Sequence, residues 1–290
     1  MKLPISLIIF IAIILGLFFP FGTLIKDLTS PLLFVLMYFS ILELDLKLKK
    51  FFKKEIFYWS LINIIILPIF AYFIGSFLSE YFLLGMVVAA LAPAAVNSPM
   101  FVNLLKGDKE LSISISAIAN LSSIIYVPFM LFLLFGLNLI IPYTQILTNI
   151  FTLIFIPIFL VVLTKKFLKS KYNKILNSSK NILKITLFLI IWIIFSTSSK
   201  QFFSSLNEVL IIIPLMFLIT ITGFLLGYFS SKKKELKRTL AISCSYKNQT
   251  LLLGTVSSIN PLIAVPPILY IIAFHIVNGI FIWLYEKKKI

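Results

Sequence analysis

Apolar residues run along the chain in long stretches that short polar or basic clusters separate. Stretches of roughly eighteen or more apolar residues recur along the whole length, which is typical of helices that cross a membrane. The run of residues 182–195 is apolar except at Lys184 and Thr186, so it lacks the alternation of a membrane β-barrel. The pattern therefore predicts an all-α membrane protein.

The apolar pattern divides into ten predicted spans, which make two halves of five spans with opposite orientations. A faint similarity links ILPIFAYFIGSFLSE in the third span with IIPLMFLITITGFLLGYFSSK in the eighth. We predict two inverted repeats, at about 1–137 and 138–290, within one membrane domain. The predicted spans are 3–20, 31–45, 56–78, 82–105, 110–137, 143–164, 177–198, 207–230, 238–257 and 261–285.

The fourth and ninth predicted spans are both interrupted. Residues 92–99 carry two prolines around Asn97 and Ser98, and residues 243–250 carry six side chains that would be costly in lipid. Interrupted spans at corresponding places in two halves are typical of the binding site of a secondary transporter. These two spans are therefore the predicted binding region.

Composition and charge distribution support this class and set the orientation. Hydrophobic residues make up 60% of the chain, and the mean hydropathy of +1.09 excludes a soluble domain. The net charge is +16, but the cations lie in short clusters between the spans, which argues against nucleic acid as a partner. Of the 26 Lys and Arg residues, 23 lie on the side of the N-terminus, and only Lys26 and Lys200 lie opposite. The positive-inside rule predicts a cell-membrane protein with both termini in the cytoplasm, and it makes Trp59 and Trp283 candidate interface anchors.

The one remaining cation is Lys247, which the spans place inside the bilayer. It lies about 13 Å beyond Arg238 along a helix, in a hydrocarbon core of roughly 30 Å. A shifted span boundary would instead place Lys247 among the lipid headgroups. An ammonium at mid-membrane costs at least about 3 kcal/mol, so it is usually paired, hydrated or functional. Together with a helix that restarts after a break, this cation favours an anionic ligand.

Other chemistry has no support in the sequence. His275 is the only histidine, and a metal site would need further ligands, so we expect it to make an interhelical hydrogen bond. Cys244 is expected to be a small packing residue. Phosphate-binding glycine loops and HExxH are missing from the sequence. Glu43 and Asp45 lie only at the cytoplasmic end of a predicted span, so a carboxylate proton relay has no obvious carrier in the core. We therefore predict no catalytic residues, no metal and no cofactor, and the protein is not expected to be an enzyme.

Three stretches of the chain carry a family resemblance. They are VLMYFSILELDLKLKKFF at 35–52, LKGDKELSIS at 105–114 and ILYIIAFHIVNGIFIWLYEK at 268–287. These stretches resemble the bile acid:sodium symporter family, and the resemblance extends over nearly the whole chain. The resemblance implies ten helices in a panel and a core domain, with broken fourth and ninth helices that cross. It also implies alternating-access transport of organic anions, and the auxin efflux carrier family has a related architecture.

The resemblance also implies where the first sodium site of the family would lie. Ser98, Ser112 and Ser116 match oxygen ligands of that site. However, Pro99 stands where the family has an asparagine, and Ser243 stands where the family has a glutamate. The only anionic ligand of the site is therefore missing.

The second sodium site is altered as well. Asn63 corresponds to a glutamine of the third helix, and Lys247 replaces a glutamine of the ninth. Asn248 matches an asparagine that faces substrate in the family. A resident ammonium repels Na⁺ by several kcal/mol at an effective dielectric constant near 20, so we predict transport without sodium.

The predicted function is secondary transport of a small organic anion across the lipid bilayer. If Lys247 loses its proton during the cycle, transport is proton symport; if it stays charged, the protein is a facilitator or exchanger. The alternative is a degenerate family member that acts as a membrane sensor or structural subunit, because the loss of sodium ligands does not by itself imply that transport continues without sodium. The predicted substrate-binding residues are Asn97, Ser98, Lys247, Asn248 and Gln249.

Overall fold

The computed structural model describes residues 5–42, 53–136, 143–256 and 259–287, and every helix or strand assigned in these ranges is a helix. The prediction of an all-α protein is confirmed. Three predicted features lie outside the described residues. They are the repeat boundary at 137 and 138, the basic cluster at 47–50, and residues 43–52 of the first stretch that resembles the family. The α-helices are α1 (Ile5–Phe18), α2 (Thr29–Leu42), α3 (Lys54–Ser60), α4 (Leu67–Gly75), α5 (Glu80–Leu91), α6 (Ser98–Leu104), α7 (Lys109–Phe135), α8 (Tyr143–Phe167), α9 (Lys169–Ser204), α10 (Leu206–Phe229), α11 (Lys234–Ser245), α12 (Gln249–Val256) and α13 (Val265–Glu286).

Three short elements join or extend these helices. A 3-10 helix at Pro20–Leu28 leads into α2, and a second at Pro261–Ala264 leads into α13. A π-helical turn at Leu61–Ile66 connects α3 to α4 without a break, because the backbone stays helical on both sides of it. The chain from Lys54–Gly75 is thus one continuous helical segment.

Seven helical segments of the described chain are long and apolar enough to cross a membrane, where the sequence predicted ten spans. The difference lies in the predicted spans 3–20, 82–105 and 238–257. The first contains α1, which has only 14 residues, and each of the other two is divided between two short helices. The seven segments are Pro20–Leu42, Lys54–Gly75, Lys109–Phe135, Tyr143–Phe167, Asn181–Ser204, Leu206–Phe229 and Pro261–Glu286.

The helices pack in two neighbourhoods, which contact each other where α8 lies against α7 and α12 and where α2 lies against α12. Helix α9 lies against α1 and α2, and α2 also lies against α8. Helix α10 packs on α11 and α13, while α7 contacts both α6 and α11. The α10–α11 contact is especially close at Gly227, where a Cβ atom would stand 2.4 Å from the carbonyl oxygen of Leu240. Only glycine permits this approach, because any larger side chain would collide with the backbone of α11.

Two breaks in the helices meet in the interior of the protein. The first break, residues 92–97, separates α5 from α6, and the second, residues 246–248, separates α11 from α12. They run antiparallel, with Ala94 paired to Lys247. The backbone N–H of Ala95 donates to the carbonyl of Tyr246 at 2.9 Å, and that of Asn248 donates to the carbonyl of Pro93 at 2.7 Å. The breaks therefore satisfy part of each other's backbone hydrogen bonding.

The two tryptophans predicted as interface anchors differ. Trp283 near the end of α13 is 52% exposed, as expected for an anchor. Trp59 is fully buried, and its indole N–H donates to the carbonyl of Ser243 at 2.9 Å. The prediction for Trp59 is wrong, because an unpaired carbonyl of α11 provides the partner that its N–H needs inside the protein.

Candidate functional site

The first break presents a row of backbone carbonyls that need hydrogen-bond donors. A helix leaves its last carbonyls without intrahelical partners, and Pro93 has no N–H to donate. Tyr126 of α7 donates to the carbonyl of Leu91 at 3.2 Å, and Ser116 donates to the carbonyl of Ala95 at 3.1 Å. Asn120 donates to the carbonyl of Ala94 at 2.9 Å. Side chains of α7 therefore supply much of what the break lacks.

Lys247 supplies two further hydrogen bonds at the end of α5. Its Nζ atom donates to the carbonyl of Ala90 at 2.5 Å and to that of Ala92 at 3.3 Å. The side chain is 2% exposed, so the alternative position among lipid headgroups does not match the structure. The carbonyl end of a helix carries a partial negative charge. The ammonium thus lies where that charge stabilises a cation.

Gln249 contacts the same helix end one residue earlier. Its Nε2 donates to the carbonyl of Ala89 at 2.9 Å. Its Oε1 is buried and has no hydrogen-bond partner among the described residues. Lys247 and Gln249 therefore act together on the C-terminal end of α5, and an acceptor that needs a donor stands beside them.

The second break is satisfied by neutral groups. Trp59 donates to the carbonyl of Ser243, and the hydroxyl of Tyr270 donates to that of Ser245 at 3.0 Å. The hydroxyl of Ser245 donates back to Ala241 at 2.8 Å within α11. No cation is among these donors, so the end of α11 differs from the end of α5.

The serines predicted from the first sodium site lie together. The Oγ atoms of Ser98 and Ser112 are 3.1 Å apart, and those of Ser112 and Ser243 are 3.5 Å apart. All three side chains are fully buried, and Ser116 lies on the same helix as Ser112 with its hydroxyl on the first break. The structure therefore joins three of the four predicted positions through their hydroxyls, while the hydroxyl of Ser116 bonds to backbone carbonyls instead.

Asn63, predicted from the second sodium site, is buried in the π-helical turn. Its Nδ2 donates to the carbonyl of Trp59 at 3.0 Å, one turn earlier in the same segment. Its Oδ1 is buried and unpartnered within the described part of the chain. The π-helical turn thus holds one free amide oxygen inside the protein.

The five predicted substrate residues occupy different environments. Ser98, Lys247, Asn248 and Gln249 are buried, whereas Asn97 is exposed and donates to the hydroxyl of Tyr246 at 3.2 Å. The assignment of these residues to a substrate stays a prediction.

Asn120 is a site residue that sequence analysis missed. Its Oδ1 accepts from Nδ2 of Asn248 at 2.7 Å, and its own Nδ2 donates to Ala94 and to Ser116. It therefore joins the first break to the second. A signal was present, because residues 112, 116, 120 and 123 form a polar stripe at helical spacing along an otherwise apolar segment.

Among the described residues, His275 makes no interhelical hydrogen bond of the predicted kind. Its Nδ1 donates to the carbonyl of Ile271 at 2.8 Å, within its own helix. The spacing of four residues places the ring beside a carbonyl of the preceding turn. In the described part of the chain, no three side chains of metal-binding type lie together.

A comparison with known families identifies the chain. The profile of the Sodium Bile acid symporter family matches residues 30–208. The chain belongs to this family. The predicted resemblance is therefore confirmed, and the symporter family together with the apolar helices makes this protein a multi-pass membrane transporter. No curated protein matches the chain.

The family match covers only part of the site in this symporter-family protein. It includes the predicted ion-site residues Asn63, Ser98, Ser112 and Ser116. It ends before α11 and α12, which carry Lys247 and its polar neighbours.

Proposed function

We propose that this protein is a secondary transporter of small organic anions in which Lys247 takes the place of a coupled sodium ion. The observation that carries the proposal is the position of its ammonium on the carbonyls of Ala90 and Ala92. In secondary transporters, carbonyls at the ends of broken helices are a recurring way to coordinate Na⁺. Here a covalently attached cation occupies such carbonyls.

The serine cluster supports sodium-independent transport. The hydroxyl of Ser112 bonds to those of Ser98 and Ser243, and Ser243 stands at the position where the family resemblance implies a glutamate. Without a carboxylate, the cluster has no negative charge to offset the dehydration of a cation. At the second sodium site, the ammonium of Lys247 would repel Na⁺ by several kcal/mol at an effective dielectric constant near 20.

The packing supports alternating access between two bodies. Helices α1, α2, α8 and α9 form one neighbourhood, which is the arrangement expected of a panel. The crossing breaks belong to the other, as expected of a core. We propose ten spans in two inverted repeats, in which the broken segments at 80–104 and 234–256 each count as one span and both termini lie in the cytoplasm.

The proposed substrate is an anion because the site offers a cation and amides but no carboxylate. In the conformation described, Asn97 is the exposed member of the predicted substrate set. Ser98, Lys247, Asn248 and Gln249 line the buried side of the crossing, and a substrate reaches them when the two bodies separate. Lys247 either keeps its proton, which gives facilitation or exchange, or releases it, which couples proton movement to transport.

Uptake into proteoliposomes tests the sodium prediction. The full chain is reconstituted, and uptake of a panel of labelled carboxylates, including a bile acid, is measured with an inward Na⁺ gradient or an equal K⁺ gradient. We expect the rates to agree within about twofold, because the ammonium already occupies the carbonyls that a sodium ion would need. Strong stimulation by Na⁺ would overturn the proposal. A parallel pH gradient separates proton symport from facilitation.

Variants at the site test the role of Lys247. Lys247→Gln should reduce uptake at least tenfold, and Lys247→Gln combined with Ser243→Glu should restore part of it as sodium-dependent uptake. Lys200→Gln serves as the control, since it removes one exposed lysine outside the site. Flux that is absent from the unmodified protein and from every variant would favour the non-transporting sensor or scaffold.

A further inference from the structure

A basic cleft lies where α10 ends, α11 begins and α13 ends. Its volume is about 100 Å³, and it lies apart from the crossing of the two breaks. Cations and aromatic rings are its only lining groups. The six lining residues are Tyr228, Lys234, Lys237, Arg238, Phe281 and Tyr285.

Aromatic rings hold two of the three cations at the cleft. Lys237 places its Nζ 5.0 Å from the ring centre of Tyr228, and Arg238 places its guanidinium carbon 4.4 Å from the ring centre of Tyr285. Such contacts orient a cation without neutralising it. The cations are therefore preorganised and keep their full charge.

No carboxylate of the described residues lines the cleft. Neither Glu235 nor Glu286, its neighbours in sequence, belongs to its lining. None of the three cations forms an ion pair with a carboxylate in the described part of the chain, whose recorded ion pair joins Lys53 to Asp108. Three converging positive charges without a partner favour an external anion.

The surroundings of the cleft place it at the edge of the lipid. Phe229 on α10 is 72% exposed, and Ile280 and Trp283 on α13 are 54% and 52% exposed. Large apolar side chains that project from membrane helices face the acyl chains, and aromatic rings concentrate at the level of the headgroups. The cleft thus lies between the lipid-facing surface and the basic loop at 232–238.

We propose that this cleft binds the phosphate of an anionic phospholipid headgroup. Clustered lysines and arginines at a membrane surface attract anionic lipids, and an arginine offers several donors in a geometry that suits phosphate. Tyr228, Phe281 and Tyr285 line the position where the glycerol and upper acyl chains of the lipid would leave the cleft. The site does not depend on the transport proposal.

Arg238 connects this lipid site to the broken helices. Its Nη1 donates to the carbonyl of Leu105 at 3.2 Å, directly after the end of α6, and approaches the hydroxyl of Tyr285 at 3.5 Å. A bound headgroup would contact the same guanidinium through its remaining donors. The lipid would thereby stabilise the link between α11 and the end of α6.

Native mass spectrometry and lipid titration of the full chain test the proposal. The probes are phosphatidylglycerol and, as the uncharged comparison, phosphatidylcholine. We expect one tightly bound phosphatidylglycerol and no comparable phosphatidylcholine. The double variant Lys234→Gln and Lys237→Gln should bind phosphatidylglycerol about 30-fold more weakly, because each lysine near an anionic surface contributes about a factor of five. Arg238→Gln should also weaken binding.

A matched control and competition complete the test. The double variant Lys165→Gln and Lys166→Gln removes the same charge at the end of α8 and should leave binding unchanged. Both double variants should retain the melting temperature of the lipid-free protein, since the four lysines lie at helix ends. Equal binding of both lipids, or full binding by the variant at 234 and 237, would overturn the proposal. Displacement of the lipid by millimolar inorganic phosphate would instead assign the cleft to a soluble anion.

Discussion

Both helix breaks leave buried carbonyls without intrahelical partners, but different kinds of hydrogen-bond donor satisfy the carbonyls at the two breaks. Each leaves the last carbonyls of a helix buried, and each is crossed by the other in antiparallel pairing. At the first break, an ammonium and an amide reach the carbonyls from Lys247 and Gln249. At the second, the indole of Trp59 and the hydroxyl of Tyr270 donate instead. One helix end therefore carries a cation, and the other has only neutral donors.

This contrast distinguishes what the buried carbonyls need for stability from what the site needs for function. Neutral donors are sufficient to satisfy buried carbonyls, as the second break demonstrates. A buried ammonium is costly in a membrane, so its use at the first break requires another explanation. The proposed substitution for a coupled sodium ion provides one.

The largest expected effect on stability is at Asn120, which bonds to both breaks. Asn120→Ala removes the acceptor for Asn248 and the shorter of the two hydrogen bonds to the carbonyl of Ala94, which keeps only the 3.4 Å bond from Ser116. We expect a loss of about 3 kcal/mol in the free energy of unfolding. Unfolding titrations in mixed detergent micelles measure this value. Ser122→Ala, on the same helix, is the control, and equal losses in the two variants would show that Asn120 does not join the breaks.

A smaller loss is expected at the second break. Trp59→Phe keeps an aromatic ring but removes the N–H that reaches the carbonyl of Ser243. The same titration should show a loss of about 2 kcal/mol, from the unsatisfied carbonyl and the reduced packing. Trp283→Phe, on a half-exposed side chain, should change stability by less than about 0.5 kcal/mol. If both tryptophan variants behave alike, neutral donors are not what satisfies the second break.

The smallest effect is expected at Gln249, where two contributions oppose each other. Gln249→Leu removes the donor to Ala89 but also removes the buried Oε1, which lacks a partner among the described residues. We expect a loss below about 1 kcal/mol, because one group loses its partner while an unsatisfied group disappears. Gln249→Glu retains the shape and is the comparison. A loss as large as that of Asn120→Ala would mean that Oε1 has a partner in solution.

Sequence patterns located the breaks well because proline and clustered polar side chains are local signals. Pro93 and Pro99 mark the first break, and the polar run that contains Lys247 marks the second. Trp59 was misplaced because its position near a basic cluster is compatible with either an interface or the interior. Asn120 was missed because the polar stripe that contains it does not reveal which distant residues it contacts. The count of ten spans, two of them interrupted, stays a prediction, because length and hydropathy identify seven spanning segments in the described chain and do not show whether two short helices share one crossing.

The sequence by itself determined the class of protein, the positions of the two breaks and the location of Lys247 inside a predicted span. These follow from hydrophobic pattern, proline and the burial cost of charge, which all act locally. Only the tertiary structure decided what the ammonium contacts. Its acceptor at Ala90 lies 157 residues away, and it is a backbone carbonyl, a group that every residue carries. Such an acceptor does not depend on the residue type and cannot be recognised from the sequence. Only the crossing of the two breaks could therefore reveal that Lys247 lies at the carbonyl end of α5.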